Sequence, residues 1–167
     1  MMVKFLYRLL WFVGLFLLQV LFLNRIHWFG VATPFLYIYF ILTLDHNMSR
    51  SQLMLWAFFL GLAIDIFSNT FGVHAAACTL TAFIRPSVLR MFFIREEKEI
   101  YEPGMRAMGS SVFFYYVLAC TLIHHTMVFL LEFFSFSHMG LLLLHIGAST
   151  LLTVLLIMIV ELVRHNR

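Results

Sequence analysis

Seven ionisable side chains lie inside or at the edges of long apolar runs: Asp65, His74, His124, His125, Glu132, His145 and Glu161. Such groups are costly in a membrane segment and point to function by default. Carboxylates beside imidazoles could relay protons, hold a metal or act as general acid and base. Their spacing argues against a site built on one helix. His125 and Glu132 are seven residues apart and share a helix face, but about 10 Å of axial rise separates them. His124 and His125 project about 100° apart and do not serve one ion from one helix. No H-E-x-x-H zinc signature occurs. These groups are therefore expected to make polar contacts between helices, with His145 bonded to one of the histidines. Glu161, close to Arg164 and His165, is expected as a solvated charge at the membrane interface.

Nucleophilic catalysis finds no support. Gly109-Ser110-Ser111 is not a G-x-S-x-G elbow, and no phosphate-binding G-x-x-x-x-G-K-[ST] loop is present. The sequence predicts no catalytic residues, no bound metal, no cofactor and no enzyme.

Asp65 is the most informative group. It falls near the end of an apolar run, where a helix dipole disfavours negative charge. A donor, a cation or the start of the next helix should compensate. His74 is the expected partner across the turn Ser68-Asn69-Thr70-Phe71-Gly72, which has ordinary turn chemistry.

The elements that carry these residues follow from composition. Of the 167 residues, 63% are hydrophobic and 11% charged, with mean hydropathy +0.97. Soluble domains are about 25% charged, and a disordered chain would not hold 20 Phe. The net charge of +3 does not signal nucleic acid in such a chain. The expected class is an all-α polytopic membrane protein of about six transmembrane helices in one domain, 1–167. The spans are approximately 5–23, 28–44, 52–67, 73–90, 108–131 and 139–163. Pro34 sits in the first turns of the second span, where a missing N–H is best tolerated. Arg85-Pro86 ends or kinks the fourth. A charged loop at about 91–107 is expected in the cytoplasm, with Val88–Glu102 also readable as an amphipathic surface helix. Glu132–His138 links the last two spans, and Trp28 falls where an outer aromatic belt would lie.

Leu21-Phe22-Leu23-Asn24 offers no small-residue cleavage site, so the first segment is kept as a span. Cys78 and Cys120 lie in apolar runs and read as small hydrophobes. With six crossings and a cytoplasmic N-terminus, ten of the eleven Lys and Arg residues fall inside and only Arg25 outside, as the positive-inside rule requires. A re-entrant hairpin of the third and fourth segments would leave the same count. Gly61 with Ala57, and Gly147 with Ala148 and Ser149, offer small surfaces for close helix contact.

The pattern resembles the bacterial rod shape-determining protein MreD family. Size and hydrophobicity match over nearly the whole chain. Thr33-Pro34-Phe35-Leu36-Tyr37-Ile38 opens the second span as that family often does. Gly61-Leu62-Ala63-Ile64-Asp65-Ile66-Phe67-Ser68-Asn69-Thr70-Phe71-Gly72-Val73-His74-Ala75 looks like its most recognisable stretch. The chain departs from the family in having Asn69 where glycine is usual, and in a longer charged loop.

The resemblance implies a non-enzymatic subunit of the cell-elongation complex in the bacterial inner membrane, with both termini cytoplasmic. Its arrangement would be similar to the S-subunit fold of energy-coupling-factor transporters. Implied partners are MreC, RodA, the elongation-specific penicillin-binding transpeptidase and, directly or indirectly, MreB, with no nucleic acid. Gly61, Asp65, Ser68, Gly72, His74 and Pro34 would shape a partner-binding or structural motif. An alternative is a vitamin-binding S subunit, but the first segment has only Gly14, flanked by Leu10 and Leu18, and no alanine-based docking surface. An intramembrane enzyme would instead need His124, His125, Glu132 and His145 to converge.

Overall fold

The computed structural model describes residues 2–26, 32–92, 102–133 and 139–165. They form seven α-helices: α1 Met2–Leu21, α2 Ile38–Thr43, α3 Arg50–Ser68, α4 Val73–Phe92, α5 Met105–Met108, α6 Ser110–Phe133 and α7 Met139–His165. Four stretches among the described residues are long and apolar enough to cross a membrane: Val3–Arg25, Arg50–Ser68, Ser110–Phe133 and Met139–Arg164. Leu10, Leu17, Leu143, Leu151, Leu155 and Ile159 on α1 and α7 are exposed. A continuous apolar exterior of this kind suits lipid rather than water, and the chain is a helical membrane protein.

The expectation of about six transmembrane helices is met in part: the second and fourth expected spans are not among the four stretches of membrane length and apolarity. Residues 32–35 are not helical, and α2 has six residues, Ile38–Thr43. Proline supplies the physical reason, since it disfavours helical geometry in the residue before it and has no N–H to bond. Pro34 therefore precedes the helix instead of starting it. This segment is the centre of the molecule: Tyr37, Ile38, Ile41 and Leu42 are each 0% exposed. The fourth helix continues through Pro86 to Phe92 but carries Arg85 and Arg90, and is not among the four membrane-length apolar stretches.

The start of the second span at Trp28, residues 93–101 of the charged loop and 134–138 of the last linker lie outside the described residues. So does most of the surface-helix reading of Val88–Glu102; its first five residues end α4. The remainder of the expected loop folds inward. Met105 and Met108 of α5 are buried.

Local sequence sets the helix ends. Ser49 caps α3 by accepting from the Gln52 amide at 3.3 Å, and the Gln52 side chain accepts from the Ser49 amide at 3.4 Å, a reciprocal capping box. At the other end Asn69 adopts left-handed geometry (φ 55°), which asparagine tolerates better than most residues. The chain then turns at Gly72 (φ 78°) into α4.

Candidate functional site

Asp65 lies in the last turn of α3, and its carboxylate is 2% exposed. Oδ1 accepts from the His74 amide at 3.0 Å and from the Thr70 hydroxyl; Oδ2 accepts from the Ala75 amide at 2.8 Å. These are first-turn amides of α4, which have no partner within their own helix. The unfavourable dipole of α3 is thus offset by the favourable N-terminus of α4. The compensating group is the backbone start of α4, with the His74 side chain directed elsewhere. One turn back, Gly61 lets the helices touch. A Cβ there would lie 2.5 Å from Ala75 Cα and 2.5 Å from the His74 carbonyl oxygen. Ser68 ties the same end to the turn that follows α1, accepting from Asn24 Nδ2 at 2.9 Å.

The His74 ring begins a chain of hydrogen bonds through the core. Tyr37 Oη lies 2.9 Å from His74 Nδ1 and 2.8 Å from His124 Nε2, and Thr81 Oγ1 lies 3.2 Å from His124 Nδ1. The Thr81 hydroxyl donates to the Ala77 carbonyl at 2.7 Å. For neutral rings this last bond fixes every other donor. Thr81 oxygen accepts from His124 Nδ1–H, His124 Nε2 accepts from Tyr37, and Tyr37 accepts from His74 Nδ1–H. His74 Nε2 is left as an acceptor. His125 is assigned in the same way. Its Nδ1–H donates to the Thr121 carbonyl at 2.8 Å, and its Nε2 accepts from Thr153 at 3.2 Å. The adjacent histidines therefore serve two networks, as their angular separation predicts.

Non-helical backbone inside a bilayer must be satisfied by protein. Gln19, 0% exposed, does this for the chain around Pro34. It accepts from the Leu36 amide at 3.0 Å and donates to the Pro34 carbonyl at 2.9 Å. From α7, Ser149 accepts from the Thr33 amide and Thr153 from the Phe35 amide, both at 3.0 Å.

At the opposite end of the bundle Arg85, 1% exposed, donates to the carbonyls of Leu42 and Leu44 and to Tyr116 Oη. A cation thus closes the C-terminus of α2. The expectation of a solvated Glu161 is corrected here. It is 2% exposed, accepts from Tyr39 Oη and the Met105 amide, and lies 3.7 Å from Arg164. The inward fold of α5 brings an unpaired helix-start amide to it and excludes water. Arg8 pairs with Asp45, and Arg164 with Glu102.

Between α1, α3, α4, α6 and α7, at the Asn69 end, lies a cavity of about 590 Å³. His74, Glu132 and His145 line it together with Arg25 and four phenylalanines. Thus Glu132 and His145 line the same cavity as His74, while His124 and His125 sit in the core, 0% exposed. The His145 ring packs 5.7 Å from Phe129 and 5.3 Å from Phe133. Among the described residues no three His, Cys, Asp or Glu side chains are grouped to hold a metal ion.

Sequence reasoning passes over Gln19, Tyr37, Thr81, Arg85 and Thr153 as functional groups. Gln19 carries a visible signal, a lone amide deep in an apolar run. Thr81 carries none. The chain matches no family model, no curated protein and no solved structure.

Proposed function

We propose that this chain is a non-enzymatic subunit of the bacterial cell-elongation complex. In this reading it binds MreC and, through the RodA–transpeptidase assembly and MreB, helps control lateral peptidoglycan synthesis and cell shape. One observation carries the reading. Gly61, Asp65, Gly72 and the His74 amide, which bear the resemblance, together build one closely packed, hydrogen-bonded turn. That turn holds Phe71 fully exposed, with Ile66 and Phe67 exposed beside it. A fixed apolar tip on a buried polar clasp is suited to receiving a partner.

The reading includes six crossings of the inner membrane with both termini cytoplasmic. Residues 32–35 at about 3.3 Å each and 36–44 at about 1.5 Å each span about 27 Å, against about 30 Å of hydrocarbon. Thr33 borders the cavity at the Asn69 end, and Asp45 meets Arg8 at the other. That supports a full crossing shielded by the bundle. Arg8 and Arg164 line one small recess, so the two ends of the chain share the face where positive-inside residues belong.

The test is crosslinking in native membranes, then affinity purification and mass spectrometry. Recovery of MreC, RodA and the transpeptidase is expected, and Phe71→Ser should diminish it. Recovery of paired ATPases with a coupling subunit would overturn the reading in favour of a vitamin transporter.

A further inference from the structure

The cavity at the Asn69 end has the size of a small-ligand site, which runs from about 300 to 1,000 Å³, at about 590 Å³. Its polar wall is biased toward acceptors. Thr70 spends its hydroxyl proton on Asp65, and Asn24 is engaged at both ends of its amide, Nδ2 donating to Ser68 and Oδ1 accepting from Gln19. His74 is 7% exposed, and the one-way hydrogen-bond chain behind it leaves Nε2 as an acceptor at the wall. Among the described residues no partner meets that nitrogen. Glu132 adds a carboxylate and His145 a second imidazole. Phe35, Phe67, Phe129 and Phe133 add ring surface. Carboxylate, acceptor nitrogen and aromatic rings together suit an ammonium group. Arg25 is the cation on the same wall, and it suits a carboxylate or phosphate.

We propose that this cavity binds a zwitterion, its ammonium group held by Glu132 and His74 Nε2 beside the phenylalanine rings and its anionic group held by Arg25. The site does not depend on which complex the chain joins. Two sources share this chemistry: a soluble amino-phosphate or amino acid, and the headgroup of a zwitterionic lipid entering beside α1.

The full chain separates the sources when reconstituted in nanodiscs. In phosphatidylglycerol alone, glycerophosphoethanolamine is titrated by calorimetry. In mixed phosphatidylethanolamine and phosphatidylglycerol, native mass spectrometry counts retained phosphatidylethanolamine. Saturable binding of the soluble probe, weakened about tenfold or more in both Glu132→Gln and Arg25→Gln, is expected for a soluble ligand, as each variant removes a charge-assisted bond. Retained phosphatidylethanolamine that both variants lose assigns the site to a lipid headgroup. Both residues are exposed, so thermal unfolding should match the parent chain. Neither binding nor retention, or binding indifferent to both substitutions, overturns the proposal.

Discussion

A single carboxylate organises the turn between α3 and α4. Asp65→Ala strands the His74 and Ala75 amides, which the side chain now serves at 3.0 and 2.8 Å. The expected loss is about 3 kcal/mol, read as a lower midpoint in thermal unfolding of the detergent-solubilised chain. Asp65→Asn keeps one acceptor and should lose less; under the proposed function it should still weaken MreC recovery and cell-shape complementation. Asp65 is legible in the sequence because an acid in an apolar run demands a partner. Its partners are not, because backbone amides have no letter of their own. Arg85 is illegible for the opposite reason. An Arg-Pro pair reads as a helix end, yet α4 continues through it and buries the guanidinium against Leu42, Leu44 and Tyr116. Arg85→Met should cost about 2–3 kcal/mol in the same assay, and Arg85→Lys should recover little, because one ammonium cannot reproduce the guanidinium fork.

At the scale of elements, the α3–α4 contact is set by the absence of a side chain. Gly61→Ala would place a methyl 2.5 Å from the backbone of α4. The helices must separate, at about 1–3 kcal/mol, and the Asp65 bonds should lengthen with them. A cysteine pair across the two helices would report that separation as slower crosslinking. Five of the six expected stretches hold a long helix, four of them apolar enough throughout to cross a membrane. The second differs because hydropathy registers burial and is blind to backbone geometry. A fully buried segment is as apolar when extended as when helical. The polar residues that reveal its extended part stand elsewhere, in Gln19, Ser149 and Thr153. Thr153→Val removes the acceptor for the Phe35 amide and the donor to His125. It should cost about 1 kcal/mol in unfolding, within the range for bonds between membrane helices.

For the whole molecule, lipid-facing helices enclose a mainly apolar core crossed by hydrogen-bonded polar groups, with a cavity at one end and ion pairs at the other. The membrane class is legible from composition, since about 30 Å of hydrocarbon leaves few choices for so apolar a chain. The cavity is not legible, because it is assembled from five helices that meet only after folding. The bonds from α7 to the chain beside Pro34 have a further consequence, in the order of synthesis. Thr33 and Ser149 are 116 positions apart, and Phe35 and Thr153 are 118 apart. When the early segment leaves the ribosome, the hydroxyls that complete it have not been made. It must wait in a provisional state, shielded by Gln19 or by the insertion machinery, until the last helix arrives. A nascent chain stalled before residue 149 should therefore leave a cysteine at position 36, buried in the finished fold, open to a membrane-permeant thiol reagent, and release of the finished chain should close it.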